Sequence, residues 1–444
     1  MSGVCIENSL TEIEQIMKSI SIYIHIPFCV KKCQYCDFLS APADSRAQEE
    51  YLRALKQEIR EQAARYREYE VQTVFIGGGT PTAVPCEKLC EVLKTVFTCY
   101  RVNPQAEISM EANPGTVTKE ALLAYRKAGI NRLSIGLQST DDGELKLLGR
   151  IHTYRDFLQT YRWAQEAGFT NINLDIMSAL PGQSVENYKK TLETVLSLRP
   201  QHISAYSLIV EEGTPFYEKY GQESEKLQAT GEKQPDLPSE EEEREMYALT
   251  EKLLAAAGYH RYEISNYALP GRECRHNLVY WKRGNYVGFG LGAASMVENV
   301  RFENTRKMQE YLTEYAGVPG VEPVSADAAQ GDEQVLSNEQ EFSLREDTHS
   351  ENAQEFSIRE NVHSLSPQEQ MEETMFLGLR LTEGVSKAEF HRQFGVSMEQ
   401  IYGKVIQENI AQGLLADEAG YVCLTREGMD LSNYVMAQFL LDEV

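Results

Sequence analysis

The sequence predicts an α/β fold carrying a parallel sheet of six βα units, followed by a smaller, mostly helical C-terminal region. Two observations predict it. From residue 21 to residue 208, short β-branched runs alternate with longer helical stretches, the signature of repeated βα units. Several chemistry-bearing residues also stand at or just past the ends of those runs, where a parallel fold places its ligands.

The elements follow in order. Strands are expected at 21–26 (SIYIHI), 71–76 (VQTVFI), 106–112 (AEISMEA), 131–137 (NRLSIGL), 171–177 (NINLDIM) and 202–208 (HISAYSL). Between them, 48–67, 86–97, 119–128, 154–167 and 185–198 are each long enough for a crossover helix. Such a series suits a barrel or a doubly wound sheet. Residues 218–243 are polar and acidic with Pro235 and Pro238, a loop that enters a helix at 240–257. Residues 321–360 hold eleven acidic residues against two arginines, and disorder is expected there.

Inside that stretch a segment is duplicated fourteen residues apart, QEFSLREDTHS from Gln340 and QEFSIRENVHS from Gln354, with His349 and His363 in register. Two copies are too few for a solenoid, so they read as a duplicated surface insertion. Residues 368–444 read as helices with a short hairpin near 420–425, a helical or winged-helix-like cap. The resulting division is 1–20 as an N-terminal extension, 21–215 as the βα region and 216–320 as a linker and further region. The acidic insertion takes 321–366, and 367–444 forms the C-terminal domain.

Composition narrows the function. The 444 residues carry 43 Lys+Arg against 67 Asp+Glu, a net charge of -24, which excludes a single small module and disfavours phosphate backbones. Nucleic acid is therefore excluded as a partner. Glu7, Glu12 and Glu14 stand where a secretory signal needs a basic start, and no apolar run reaches 18 residues, so a cytoplasmic protein is expected. Nine cysteines, an odd number, point to thiols or metal ligands over disulfides.

The strongest motif is Cys29-x3-Cys33-x2-Cys36, directly after the first strand. Three thiolates in one short loop can hold a cubane iron-sulfur cluster with its fourth iron open. A zinc site completed by His25, or bare thiols, are the alternatives. Gly77-Gly78-Gly79-Thr80-Pro81 follows the second strand and leaves backbone N-H groups bare to a ligand, without the spacing of a dinucleotide fingerprint or the lysine of a phosphate loop. Glu111, Gln138 and Asp175 come at or near the ends of the third, fourth and fifth strands, where acceptors can bind hydroxyls or an amino group. Singly, each reads equally as a helix cap or loop hydrogen-bonder. His276 stands among aromatics in His276-Asn277-Leu278-Val279-Tyr280-Trp281, a structural histidine or an axial ligand on an apolar face. Cys86 and Cys90, four apart on one helix, read as packing, and Cys99, Cys274 and Cys423 as structural.

YIHIPFCVKKCQYC resembles the cluster loop of the radical S-adenosylmethionine (SAM) superfamily. The resemblance implies a partial (βα)6 barrel, a 4Fe-4S cluster held by Cys29, Cys33 and Cys36, and a SAM whose amino and carboxylate groups chelate the open iron. In the porphyrin-linked branch, Tyr23, Gly78, Gly79, Thr80, Glu111, Gln138, Arg150 and Asp175 match positions that hold SAM, with Arg150 offering a planar fork. Tyr35 matches a second SAM position.

Within that branch, oxygen-independent coproporphyrinogen III dehydrogenases carry a further cysteine two residues after the third ligand and a longer N-terminal arm. Here Asp37-Phe38 follows Cys36. HNLVYW is similar to the HNxxYW motif of HemW-type haem chaperones, and SNYALPG and GLGAAS around it resemble the same branch over residues 20–317 and 367–440. Ser178-Ala179 departs from the Tyr-Gly pair usual before LPGQ.

The resemblance thus implies a haem chaperone with a 4Fe-4S cluster, SAM and haem as cofactors, and His276 as a haem contact. It also implies an acceptor protein, membrane-associated or not, and a homodimer. The alternative is a radical SAM dehydrogenase that decarboxylates coproporphyrinogen III.

Overall fold

The computed structural model describes residues 17–221, 235–315 and 358–441. Six parallel strands form its centre: β1 (Lys18–Ile26), β2 (Tyr69–Gly78), β3 (Val102–Ala112), β4 (Arg132–Gln138), β5 (Ile172–Ser178) and β6 (His202–Ser207), paired in chain order. These match the six expected runs. Helices α1 (Ser45–Gln62), α2 (Cys86–Cys99), α3 (Lys119–Lys127), α4 (Asp142–Leu147), α5 (Tyr154–Glu166) and α6 (Val185–Leu198) make the crossovers.

A central parallel strand is covered on both faces, so it reads as an unbroken apolar run. In β4 all seven residues are buried. Ile22, Ile24, Val74, Ile76, Leu133, Ile135, Leu174 and Ile176 belong to one continuous core, each contributing about 1.5–3 kcal/mol by leaving water. The crossover helices start where side chains cap them. Asp44, Thr118, Asp141, Thr153 and Ser184 each accept from a backbone N-H of the first turn, and Thr153 with Asp156 closes a full capping box.

After β6 come α7 (Pro215–Tyr220), α8 (Glu240–Ala256), β7 (His260–Arg261), β8 (Asn266–Ala268), α9 (Arg275–Trp281), β9 (Tyr286–Phe289), β10 (Ala294–Val297), β11 (Val300–Asn304), α10 (Met308–Glu314) and β12 (Arg359–Ser364). These strands lengthen the sheet at both edges into the order β12-β11-β10-β9-β1-β2-β3-β4-β5-β6-β8-β7. The sheet stays open. Only β9 joins in parallel, against β1, and the other additions are antiparallel.

Residues 216–320, expected as a linker and a further region, supply five strands of the twelve. One expectation changes here. The expected disorder of 321–366 does not extend to its end, since 359–364 pairs with β11 as the outermost strand and Ile358 just before it is buried. The first copy of the duplicated segment, the preceding acidic stretch and most of the N-terminal extension lie outside the described residues.

The remaining chain forms α11 (Pro367–Gly378), β13 (Val385–Ser386), α12 (Lys387–Phe394), α13 (Met398–Ala411), β14 (Leu415–Glu418), β15 (Tyr421–Leu424), α14 (Arg426–Asp430) and α15 (Ser432–Ala437). Its own core includes Met375, Leu379, Phe390, Tyr402, Val422 and Phe439. The expected hairpin appears as β14 and β15, which turn at Gly420 with φ of 87°. No helix among the described residues is long and apolar enough to cross a membrane.

Candidate cofactor site

The carboxyl ends of β1 to β6 open onto a cavity of about 450 Å³. Every site residue read from the sequence lines it: Tyr23, Cys29, Cys33, Tyr35, Cys36, Gly78, Gly79, Thr80, Glu111, Gln138, Arg150, Asp175 and His276. The cysteine loop is fastened by main-chain bonds from Cys29 N to Ala41 O at 3.1 Å, Gln34 N to Leu148 O at 3.0 Å and Thr80 N to Phe28 O at 2.7 Å. Its three thiols are half-buried. Thr80 Oγ1 donates to Cys29 Sγ at 3.5 Å and Arg150 Nη1 to Cys33 Sγ at 3.6 Å, while burial raises the Cys36 pKa.

No three His, Cys, Asp or Glu side chains among the described residues converge on a point that one metal ion could occupy. In a cubane each thiolate meets a different iron. The zinc site completed by His25 does not fit, because neither His25 ring nitrogen is free. Its Nε2 lies 2.9 Å from the Leu39 carbonyl and must carry the proton, so Nδ1 accepts from Tyr23 O-H at 2.9 Å.

The glycines are required by space. Gly78 has φ of 112° and a Cβ there would stand 2.5 Å from the His25 ring, while one on Gly79 would stand 2.6 Å from the Phe28 carbonyl oxygen. Gly78 N donates to Glu111 Oε2 at 3.1 Å. Burial, then the nearby Asp175, push the Glu111 pKa up to about 8 against that bond, so the carboxyl must give up a proton before it pairs with a cation at neutral pH.

Arg150 Nη2 donates to Gly136 O at 2.8 Å and to Asn113 Oδ1 at 2.5 Å, and Asn113 Nδ2 donates to Thr80 Oγ1 at 2.8 Å. Asn113 links both motifs and was not read from the sequence; its place two residues beyond Glu111 was the available signal. Gln138 closes β4 at φ of 70°, where the ladder to β5 shifts register, and accepts from Tyr206 O-H at 3.1 Å. Asp175 accepts from Asn173 Nδ2 at 2.7 Å and its pKa is raised by burial. Tyr35 is half-buried near Arg150, and desolvation raises its pKa too.

The floor is closed by α9. Glu107 on β3 caps it, accepting from Arg275 N at 3.0 Å, His276 N at 3.2 Å and Cys274 Sγ at 3.5 Å. His276 is 1% exposed and stacks on Phe75. Thr73 Oγ1 gives its proton to Ser21, so His276 Nδ1-H donates to Thr73 at 2.7 Å and Nε2 accepts from Tyr280 O-H at 2.8 Å. Burial, then Arg132, lower its pKa to about 3. Both nitrogens are occupied, unlike those of an open axial ligand.

A partial barrel with a three-thiol loop and a glycine-bare neighbouring strand defines a protein of the radical SAM class, and the Radical SAM superfamily profile matches residues 23–195. The HemN C-terminal domain profile matches residues 365–431. The chain is 36% identical to "Heme chaperone HemW" of Bacillus subtilis, with 95% of this chain and 99% of that protein aligned. It is 32% identical to the protein of the same name from Escherichia coli, over 95% and 98%. The chain belongs to the HemW family.

Membership implies a 4Fe-4S cluster and SAM, and the thiols, bare glycines and half-buried acids of the cavity fit both. Among solved structures, coproporphyrinogen III oxidase (HemN) from Escherichia coli shares the fold, with a TM-score of 0.75 over 96% of this chain and 91% of that one at 21% identity.

Proposed function

We propose that this protein binds haem and passes it to an acceptor protein, and that it carries a 4Fe-4S cluster on Cys29, Cys33 and Cys36 with SAM beside it. The observation that supports this most is the meeting of three thiols, Gly78, Gly79 and Glu111 in one cavity, in a chain aligned end to end with proteins named as haem chaperones. Such a cluster, when bound, supplies an electron to the sulfonium of SAM.

The chain's own groups do the rest. Glu111 takes the amino group, Arg150 turns its fork to a carboxylate, and Gln138 and Asp175 accept from ribose hydroxyls. Tyr23 closes the inner wall beside Glu111, and Tyr35 the side nearest Arg150. The acceptor, its membrane association, a homodimer and a cytoplasmic location belong to the same proposal.

A cavity of about 450 Å³ has room for a cluster and one nucleoside ligand but not for a porphyrin as well. We propose that the haem seats one edge in a second cleft of about 370 Å³ between α9 and the C-terminal domain, walled by Trp281, Leu381, Val385, Phe390 and Tyr421, with the rest of the macrocycle outside it. Trp281 lines this cleft with its ring face covered by Arg380, whose guanidinium lies 4.3 Å over it. On this reading His276 is a positioning residue that seats α9 under the cavity.

Iron, acid-labile sulfide and haem measured on anaerobically prepared protein test the cofactors. Haem titration should lose about tenfold in affinity for Trp281→Ala; an undiminished affinity there with loss in His276→Ala would return the haem to His276. Anaerobic assay with coproporphyrinogen III should give no protoporphyrinogen IX, and its formation would establish the dehydrogenase instead.

A further inference from the structure

Asn113 follows the last residue of β3 and precedes Pro114, whose ring disfavours a helical backbone before it. Its main chain is held on both sides. Asn113 N donates to Thr82 Oγ1 at 3.2 Å, and Thr116 Oγ1 donates to Asn113 O at 2.7 Å. The side chain is thereby presented at a fixed place, between Arg150 of the α4–α5 connection and Thr80 of the glycine turn.

The direction of every bond it makes follows from the chemistry of the groups. A guanidinium only donates, so Asn113 Oδ1 accepts from Arg150 Nη2 at 2.5 Å, and the amide nitrogen Nδ2 donates to Thr80 Oγ1 at 2.8 Å. Thr80 then directs its one hydroxyl hydrogen at Cys29 Sγ, 3.5 Å away. Nη1 of the same guanidinium donates to Cys33 Sγ at 3.6 Å. One chain of bonds therefore runs from Cys33 through Arg150, Asn113 and Thr80 to Cys29, with the arginine charge polarising it. Gly136 makes room for it, since a Cβ there would stand 2.8 Å from Asn113 Oδ1 and 3.1 Å from Arg150 Nη2.

We propose that Asn113 is a positioning residue that aims Thr80 and Arg150 at the Cys29 and Cys33 sulfurs and so raises the reduction potential of the cluster, a role that rests on the cluster reading above. Hydrogen bonds to the sulfurs are among the levers that set such potentials, because they stabilise the more negative, reduced form. Asn113 acts through its two neighbours.

Iron and acid-labile sulfide on the anaerobically reconstituted full-length protein are measured first. A wild type that holds neither fails the cluster reading, and the role of Asn113 with it. In loaded, SAM-free protein a redox titration followed by electron paramagnetic resonance gives the midpoint potential. Asn113→Leu, similar in size but without donor or acceptor, should lower it so that the oxidised-to-reduced ratio at a fixed potential rises about tenfold, about 59 mV for one electron. Asn113→Ser, too short to reach both partners, should move it the same way. Thr80→Val should lower the midpoint as well, and Thr80→Ser, which keeps the hydroxyl, should not. Asn113→Leu with Thr80→Val should shift it by less than the sum of the two, because both loosen the same bond to Cys29. An unshifted midpoint in loaded Asn113→Leu or Asn113→Ser, or fully additive shifts, overturns the role of Asn113 and leaves the cluster reading standing. Failure of both Asn113 variants to hold a cluster that the wild type holds overturns it too, making the residue a structural one.

Discussion

Replacing His276 with alanine separates a positioning role from a ligand role. The substitution deletes an imidazole that is 1% exposed, removes the bonds to Thr73 and Tyr280, and strips the face of Phe75. An unpaired buried hydroxyl costs about 1–3 kcal/mol, and the void left by a ring of this size adds a comparable amount, so about 3–5 kcal/mol of stability should be lost. That is a large share of the about 5–15 kcal/mol that holds a domain together.

A pH signature accompanies it. The folded-state pKa of about 3 lies below the ordinary 6.5, so the unfolded chain binds the proton more tightly. His276 therefore contributes stability that is complete above pH 6.5 and falls as pH drops toward 3. From pH 7.5 to pH 5 the loss works out at about 2 kcal/mol, and the variant should lack that component. Urea unfolding followed by circular dichroism at both pH values measures each number. A loss below about 1 kcal/mol, with unchanged pH dependence and abolished haem binding, would refute the role assigned to the floor.

Other outcomes follow from the same geometry. Cys29→Ala, Cys33→Ala and Cys36→Ala should each lower iron and sulfide content after anaerobic reconstitution, while Cys86→Ala should leave both unchanged. Gly78→Ala places a methyl 2.5 Å from the His25 ring at φ of 112°, so SAM binding measured by calorimetry should be lost and the protein destabilised by about 1–3 kcal/mol. Arg150→Lys removes the fork that holds Asn113 and Gly136, and the SAM dissociation constant should rise about tenfold or more. Because burial pushes the Glu111 pKa up to about 8, SAM affinity should climb more steeply as pH rises from 6.5 to 8 in the wild type than in Glu111→Gln, where only the SAM amino group still titrates.

The six central strands were legible because both of their faces are covered, which writes burial into the sequence as consecutive β-branched residues. The cluster loop was legible because its three ligands lie within eight residues of chain. The short outer strands carried no such mark: β9 joins β1 across more than 250 residues, and that register is set by tertiary packing. The surroundings of His276 were hidden for a related reason. Its bonding partner Thr73 and the Glu107 cap sit on β2 and β3, and nothing local to the motif announces them.

Helix α9 has its His276 end under the cofactor cavity and its Trp281 end in the second cleft. Seven residues span only about 10 Å, with no glycine or proline between them to absorb a bend. The element gives the two chambers one shared wall. A tilt forced at either end would move the wall at the other.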